Sequence, residues 1–273
     1  MNRSEMLQQL DQESLWDIIV IGGGATGLGI ALEAVSRGYK TLLVEQSDFA
    51  KSTSGKSTKL VHGGVRYLAQ GNIKLVHEAS VERHVLCNNA PHLVKNLTFI
   101  IPVYSIWEAL QYTLGLKLYD WTAGRLSLGS SVFISKSATL KRLPQIRQKN
   151  LFGGVLYHDG QFDDARLAIN LAQTIVENGG TVLNYVKVNG LIKNDNGIVC
   201  GVVMKDIGTK KEYRVKCKAV VNATGVFVDE IMKMDDSQAR DKIAVSRGVH
   251  LVVDRSFLAS DDAIMIPKTS DGR

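Results

Sequence analysis

The chain has 273 residues, of which 45% are hydrophobic and 22% are charged, and its net charge at neutral pH is +6. This composition excludes an intrinsically disordered protein, and four prolines beside 25 glycines exclude a collagen-like or low-complexity sequence. The basic surplus is small for this length and the basic residues are dispersed, so nucleic acid is not an expected partner.

The N-terminal segment, MNRSEMLQQLDQES, is polar and lacks the apolar stretch of a signal peptide. No run of about 18 apolar residues is present, so we expect a cytoplasmic protein without a membrane span. The cysteines Cys87, Cys200 and Cys217 have neither the spacing of a zinc site nor the pattern of a disulfide framework, and no metal site is predicted.

The first predicted elements form one βαβ unit. An apolar run at residues 16–22, helical spacing at residues 25–37 and a second apolar run at residues 41–45 predict a strand, a helix and a strand. Continuous apolar runs are typical of strands that are buried on both faces, so a parallel sheet is expected. Residues 46–59 are rich in Ser, Thr, Gly and Lys and predict a long loop.

The remaining elements follow in chain order. Helices are predicted at residues 64–70, 73–89, 106–122, 138–143 and 163–178, and strands at residues 97–104 and 154–158. Strands at residues 181–188, 190–193, 198–206 and 212–216, joined by turn sequences, predict an antiparallel ribbon inserted between parallel strands. A buried strand at residues 219–222, a helix and a strand pair at residues 242–253 follow.

A dinucleotide-binding fingerprint, G-x-G-x-x-G, lies at the turn between the first strand and the first helix. Gly22 permits the tight turn, Gly24 lets the backbone approach a pyrophosphate, and Gly27 lets the helix pack closely on the sheet. Glu45 ends the next strand, where a carboxylate accepts hydrogen bonds from a ribose. The alternative is a tight strand–helix turn beside a surface glutamate.

NAD and FAD share the fingerprint. The strand at residues 220–225, which ends in Ala-Thr-Gly after the antiparallel ribbon, favours FAD.

The most specific segment of the chain is Lys-Leu-Val-His-Gly-Gly-Val-Arg-Tyr-Leu at residues 59–68. It resembles the family of FAD-dependent glycerol-3-phosphate dehydrogenases and oxidases, and the resemblance covers essentially the whole chain after the first 15 residues. The other matching segments lie at residues 53–54, 57–58, 90–93, 119–120, 163–167, 221–225, 247–253 and 266–267.

The resemblance implies an α/β fold with a glutathione-reductase-like, Rossmann-type FAD-binding domain and an inserted, mainly antiparallel substrate domain. The FAD-binding domain is expected at residues 14–90 and 155–235, and the substrate or cap domain at residues 91–154 and 236–273. Because members of the family continue well past the matching point, we expect a truncated chain whose fold is incomplete at the C-terminus and which has little activity alone.

The resemblance also implies an activity: oxidation of sn-glycerol 3-phosphate to dihydroxyacetone phosphate, with hydride transfer to flavin N5 and electrons passed on to quinone or to oxygen. Arg66 and Tyr67 are then substrate contacts, and the five-donor fork of an arginine suits phosphate oxygens. His62 and His250 are both candidates for the catalytic base, because imidazole accepts a proton near neutral pH, and the choice between them is left open. His250 is also a candidate substrate contact.

The residues expected to contact FAD come from the fingerprint, the loop after the second strand, the specific segment, the strand before the ribbon and the Ala-Thr-Gly turn. They are Gly22, Gly24, Ala25, Thr26, Gly27, Glu45, Gln46, Thr53, Ser54, Ser57, Thr58, Lys59, Leu60, His62, Gly64, Val188, Ala223, Thr224 and Gly225.

Other functions remain open at this point. One is a glycerol-3-phosphate oxidase that uses oxygen, and another is an amine or amino-acid oxidase of the same fold, in which an arginine binds carboxylate. The last is a non-catalytic nucleotide-binding module, which has no need for the pair His62 and Arg66.

The predicted helix at residues 106–122 carries an apolar stripe. The stripe residues are Trp107, Leu110, Leu114, Leu118 and Trp121. Such a stripe is typical of a helix that faces a core, and it also suits a helix that lies on a membrane with its tryptophans at headgroup level. We favour peripheral contact with the inner face of the cell membrane slightly over a core position, and a homo-oligomer is left open.

Overall fold

The computed structural model describes residues 1–68, 71–246 and 248–267. The chain divides into two compact units. The first unit contains Met1–Ser57 and Asp164–Gly248, and the second contains Thr58–Asp163 and Val249–Arg273. The chain therefore leaves the first unit before residue 60, much earlier than the predicted boundary at residue 90, because residues 60–61 and helices 65–68 and 73–89 belong to the second unit. The assignment of cofactor and substrate binding to separate domains stays a prediction.

The helices and strands are numbered separately in chain order. They are α1 (Arg3–Gln12), β1 (Trp16–Ile21), α2 (Ala25–Ser36), β2 (Thr41–Val44), β3 (Leu60–Val61), α3 (Val65–Leu68), α4 (Ile73–Asn89), β4 (Val94–Val103), α5 (Ile106–Ala123), β5 (Val132–Ser135), α6 (Lys136–Arg142), β6 (Gly153–Phe162), α7 (Asp164–Glu177), β7 (Thr181–Leu183), β8 (Val186–Lys193), β9 (Val199–Asp206), β10 (Glu212–Asn222), α8 (Val228–Asp235) and β11 (Ala263–Ile264). Short 3₁₀ turns lie at Thr53–Lys56, Gly124–Leu126, Gly225–Phe227 and Arg255–Phe257.

The first unit is built on a six-stranded sheet with the strand order β7-β2-β1-β10-β9-β8. Strands β7, β2, β1 and β10 are parallel, whereas β9 and β8 are antiparallel to their neighbours. The predicted βαβ unit and the antiparallel ribbon are both present in this sheet. Strand β10 belongs to both parts, since its first half pairs with β9 and its second half pairs with β1.

Apolar side chains cover both faces of this sheet. On one face, Leu28 of α2 and Ile175 of α7 pack against Val20 and Leu43. On the other face, the core contains Ile19 and Leu42 together with residues of α1 and α8, namely Met6, Leu10 and Ile231. Strands β1 and β2 are therefore buried on both sides, which explains their continuous apolar sequences.

The second unit is built on a mainly antiparallel sheet with the strand order β11-β4-β6-β3, and β5 also pairs with β6. Strands β4 and β6 are antiparallel along their whole length, from the Val94–Phe162 pair to the Val103–Gly153 pair. Helix α5 contributes Ala109 and Leu116 to the core beneath this sheet.

The predicted strand pair at residues 242–253 is wrong. Residues 242–246 and 248–253 contain no strand, and Arg247 lies outside the described residues. The backbone amides of Lys242 and Ile243 donate to the carboxylate of Asp229, at 2.9 and 3.3 Å, instead of to a neighbouring strand. Apolar side chains such as Val252 are fully exposed, so their alternation reflects no buried face among the described residues. The predicted helix at residues 64–70 is described only as α3, because residues 69–70 lie outside the described part.

Candidate cofactor site and active-site loop

The turn between β1 and α2 has a shape that only glycines allow. Gly22 has a φ of +114°, and a Cβ there would lie 2.5 Å from the carbonyl oxygen of Ala223. A Cβ on Gly27 would overlap the carbonyl oxygen of Gly22. The first turn of α2 therefore lies directly against the end of β1, and the positive end of its dipole lies at the edge of the sheet, where it stabilises an anion.

Glu45 holds the loop that follows β2 in place. One carboxylate oxygen accepts a hydrogen bond from the amide of Gly23 and the other from the amide of Ser47, both at 2.7 Å. Each carboxylate oxygen has a second lone pair, so the side chain keeps the capacity to accept from a ribose hydroxyl. The Ser54 hydroxyl accepts from the amide of Ala25 at 2.9 Å and ties the same loop to the start of α2.

These segments enclose a cavity of about 510 Å³ in the first unit. This volume is within the usual range for ligand pockets of about 300–1,000 Å³. Eleven of the residues predicted to contact FAD line it: Gly22, Gly24, Thr26, Glu45, Gln46, Thr53, Ser54, Val188, Ala223, Thr224 and Gly225. The cavity thus combines a glycine turn, a ribose acceptor and hydroxyl donors, and these residues fit the nucleotide part of FAD.

The remaining predicted FAD contacts do not line this cavity. Ala25 and Gly27 lie in the first turn of α2, and the Ser57 hydroxyl donates to Asp164 at 2.8 Å. The others, Thr58, Lys59, Leu60, His62 and Gly64, belong to the second unit. Their contact with FAD stays a prediction.

Several residues that line the cavity were not predicted from the sequence. Lys51 and Lys56 add positive charge to the site, but their position in the polar loop gave no motif that would mark them. Phe227, Ile231 and Met234 supply an apolar wall from the start and one face of α8. Their helical spacing could have indicated an apolar helix face, and such a face packs against other apolar groups of the protein or of a ligand.

The loop at residues 62–67 lies in the second unit, and it is called the active-site loop because the sequence analysis predicts a candidate base and substrate contacts in it. It follows β3, in which Leu60 and Val61 pair with Gln161 and Gly160 of β6. Gly64 has a φ of +84°, and its carbonyl accepts from the amide of Tyr67 at 2.8 Å, so the loop turns sharply into α3. Tyr67 is exposed. Arg66 lies in α3, and its side chain is outside the described part of the structure.

Beneath this loop lies a buried polar network of Arg83, Tyr119 and Asp159, called here the Arg83 network. Arg83 Nη1 donates to Asp159 Oδ1 at 2.8 Å and to Tyr119 Oη at 2.6 Å. The side chains of Arg83 and Asp159 are both completely buried. Burial, with a smaller effect of Asp159, raises the pKa of Tyr119 above its ordinary value, so its hydroxyl stays protonated.

The active-site loop rests directly on the Arg83 network. The amide of Gly63 donates to Asp159 Oδ1 at 3.0 Å. A Cβ on Gly63 would overlap Tyr119 Oη and would lie 2.5 Å from Arg83 Nη1, so only glycine allows this close approach. No role was predicted for Arg83, Tyr119 or Asp159 from the sequence, although Tyr119 lies in one of the matching segments. The signal available in the sequence was the charged residue Arg83 in the middle of a predicted helix. If such a helix packs on a sheet, a buried arginine there must have a charged partner.

The two candidate bases have different surroundings. His62 is half exposed, and its Nδ1 lies 3.5 Å from Oδ2 of the buried Asp159. His250 is exposed and lies outside any helix or strand. Within the described part of the chain, we find no hydrogen bond or ion pair that involves the His250 side chain. The structure therefore gives a carboxylate partner to His62.

These features agree with comparisons with known proteins. A family model described as FAD dependent oxidoreductase matches residues 17–273, so the chain belongs to this family of flavoproteins. The chain is 42% identical to the mitochondrial glycerol-3-phosphate dehydrogenase of Saccharomyces cerevisiae, over 100% of this chain and 47% of the relative. It is 43% identical to the mitochondrial glycerol-3-phosphate dehydrogenase of Homo sapiens, over 100% of this chain and 39% of the relative. The chain thus spans less than half the length of these relatives.

Solved structures give the same result. The glycerol-3-phosphate dehydrogenase of Bacillus halodurans, in complex with FAD, matches with a TM-score of 0.66 and 34% identity, over 86% of this chain and 39% of that chain. The L-proline dehydrogenase of P. horikoshii matches with a TM-score of 0.62 at 19% identity, over 83% of this chain and 57% of that chain, which shows the fold alone. The predicted family resemblance, fold class and cofactor are confirmed by these matches.

Proposed function

We propose that this protein oxidises sn-glycerol 3-phosphate to dihydroxyacetone phosphate with reduction of bound FAD. The observation that carries the proposal is the active-site loop, which presents a half-exposed histidine beside a buried carboxylate. The loop belongs to the segment most specific for the family, in a chain that is 42% identical to a yeast glycerol-3-phosphate dehydrogenase. A glycine oxidase of Bacillus cereus shares the fold, but at 20% identity this similarity shows the fold alone.

In this proposal the first unit holds the cofactor. The start of α2 and the ammonium groups of Lys51 and Lys56 bind the pyrophosphate, since the helix dipole and the ammonium groups each stabilise negative charge. The carboxylate of Glu45 accepts from the ribose, and the backbone of Val188 contacts the adenine. When FAD is bound, its isoalloxazine ring supplies the hydride acceptor of the reaction.

The second unit supplies the groups that act on the substrate. Arg66 binds the phosphate as a charged, bidentate donor, and Tyr67 contacts the same molecule. The proton of the secondary hydroxyl must go to a base, and the carboxylate partner of His62 supports this residue over His250. Quinone is the proposed final acceptor of the electrons, with oxygen as the alternative.

The substrate is tested by anaerobic addition to the FAD-loaded full-length protein. We expect sn-glycerol 3-phosphate to bleach the flavin, whereas glycine, L-proline and sarcosine leave it oxidised. Replacement of Arg66 by alanine should raise the substrate concentration needed for bleaching by about 10- to 100-fold, since a charged hydrogen bond contributes about 1.5–3 kcal/mol. Arg37→Ala, which changes an exposed arginine directly after α2, is the matched control and should behave like the parent. Bleaching by an amino acid and not by glycerol 3-phosphate would contradict the proposal.

A finer part of the proposal concerns the apolar stripe of α5. Trp107 and Trp121 are each 77% exposed, and Leu114 is exposed as well, so the stripe does not face the core. Among the described residues, no helix is long and apolar enough to cross a membrane. We propose that the stripe makes peripheral contact with a lipid surface, which would bring the flavoprotein to a membrane quinone.

Lipid contact is tested by co-sedimentation with liposomes. The double substitution Trp107→Ala and Trp121→Ala should reduce the bound fraction several-fold, because it removes the apolar surface that the two rings would bury at the lipid interface. Phe257→Ala is the control, since this ring is 71% exposed in the same unit but outside the stripe. Equal binding by the double variant and the parent would exclude this stripe as the contact.

A further inference from the structure

Asp159 is held by an unusual number of donors on one of its two oxygens. Its Oδ1 accepts from Arg83 Nη1 at 2.8 Å, from the amide of Gly63 at 3.0 Å and from its neighbour's amide, Gly160, at 3.1 Å. The side chain is completely buried, so water cannot replace these donors. The carboxylate is therefore fixed in one orientation.

The other oxygen, Oδ2, faces His62. It lies 3.5 Å from Nδ1 of the imidazole, and its only further donor among the described residues is the amide of Gly63 at 3.4 Å. A distance of 3.5 Å is long for a hydrogen bond, and catalytic hydrogen bonds are often long before the substrate binds. The His62 side chain as a whole is 53% exposed.

An ionised carboxylate accepts hydrogen bonds and donates none. A neutral imidazole beside it must therefore carry its proton on Nδ1, which leaves Nε2 as the free acceptor. We propose that Asp159 is a positioning residue that fixes the tautomer and orientation of His62, so that Nε2 is the atom that receives the substrate hydroxyl proton. This inference rests on the proposed function for the identity of the substrate, but the tautomer itself does not depend on it.

Because three donors hold Asp159 Oδ1 in place, the inference can be tested with one isosteric substitution. In Asp159→Asn the amide oxygen must take the Oδ1 position, because three donors point at it. The amide nitrogen then takes the Oδ2 position and donates to His62 Nδ1. The ring must move its proton to Nε2, and Nε2 can no longer accept one. Serine proteases give a precedent, since the same change there fixes the wrong tautomer and lowers kcat by about 10⁴-fold.

The first measurement is the tautomer of His62 by ¹⁵N NMR of histidine-labelled full chain loaded with FAD, in alkaline buffer where imidazole is neutral. The chain has six histidines, so the His62 signals are assigned by their absence in His62→Gln. We expect Nδ1–H in the parent and Nε2–H in Asp159→Asn. Nε2–H in the parent would overturn the inference, and this result requires only a folded His62→Gln for the assignment, not a folded Asp159→Asn. An unchanged tautomer in a folded Asp159→Asn would overturn it as well.

The matched control is Asp206→Asn. Asp206 is also a fully buried carboxylate paired with an arginine, Arg3, at 2.7 Å, but it has no histidine partner and lies in the first unit. This variant should lose stability in the same way as Asp159→Asn while the His62 signals stay as in the parent. A shift of the His62 tautomer in the control would contradict a specific role for Asp159.

The second measurement is the rate of flavin reduction by glycerol 3-phosphate under anaerobic conditions. We expect Asp159→Asn to reduce this rate by at least about 100-fold with little change in the apparent Kd, because general-base catalysis contributes about 10²–10⁴-fold. A normal rate with a switched tautomer would show that Nε2 of His62 is not the proton acceptor, and would overturn that part of the inference. If glycerol 3-phosphate fails to reduce even the parent while the tautomer switches as expected, the proposed function is wrong and the positioning by Asp159 stands.

Discussion

Replacement of Gly27 by alanine is expected to abolish FAD binding and to destabilise the first unit by about 3 kcal/mol, the upper end of the usual cost of overpacking. The added methyl group would overlap the carbonyl oxygen of Gly22, and it would also press on the Ala223 side chain at 3.4 Å. Neither atom can move freely, because Gly22 donates its amide to Val44 at 2.9 Å and Ala223 donates its amide to Ile21 at 2.8 Å. Overpacking a rigid site costs about 1–3 kcal/mol, and displacement of α2 would also misalign the amides that bind the pyrophosphate.

Gly29→Ala is the matched control for this prediction. Gly29 lies in the same helix, is exposed, and has no atom within 4 Å of the position of an added Cβ. Alanine should therefore stabilise α2 by about 0.5–1 kcal/mol, because it has less backbone entropy to lose. The two variants are compared by thermal unfolding and by titration with FAD, monitored by flavin fluorescence. Normal FAD affinity in Gly27→Ala would show that α2 adapts and that the close contact with β1 is not required.

The first unit was the part that the sequence predicted best, and the reason is local. Strands β1 and β2 are buried on both faces, so residues 18–21 and 42–44 form continuous apolar runs that mark the two strands clearly. The glycines at the β1–α2 turn are determined by backbone geometry that only glycine allows. Where the pattern was interrupted, prediction failed: β10 is one strand, but the exposed Lys218, which pairs with Asp17 at 2.7 Å, divided it into two predicted strands.

The parts that sequence could not predict depend on contacts between distant residues. Arg83 and Asp159 are 76 positions apart, and nothing near either residue indicates the other. Strand β3 has only two residues, so it carries no periodicity, and its existence depends on pairing with β6. Helix α1 buries only Met6 and Leu10, which is too sparse a pattern to indicate a helix. The roles of the active-site loop came from family resemblance, and the carboxylate beneath His62 became visible only in the fold.

Arg83→Met is expected to destabilise the second unit by about 3–5 kcal/mol. The substitution keeps a long unbranched side chain but removes the charge that faces Asp159 at 2.8 Å, and both side chains are completely buried. A buried carboxylate that loses its cation costs this much, because neither water nor another charge compensates it. Tyr119 Oη loses its donor at the same time, and the carbonyl of Leu126 loses a longer bond of 3.3 Å from Arg83 Nη2.

Arg83→Met should also make the active-site loop less ordered, in addition to lowering the stability of the second unit. Asp159 would still accept from Gly63 and Gly160 but would no longer be fixed by a third donor, so the loop and His62 should become more mobile. Hydrogen exchange of the Gly63 amide is the direct measurement, and we expect it to be at least about 10-fold faster in Arg83→Met, since each 1.4 kcal/mol of lost protection is tenfold.

The control is Arg3→Met, because Arg3 also pairs with a buried aspartate but has a side chain that is 37% exposed. Water can solvate the site that Arg3 leaves, so this variant should cost about 1 kcal/mol and leave the Gly63 exchange rate as in the parent. Equal losses of stability in the two variants would mean that the Arg83 network is no more than an ordinary ion pair and does not support the loop.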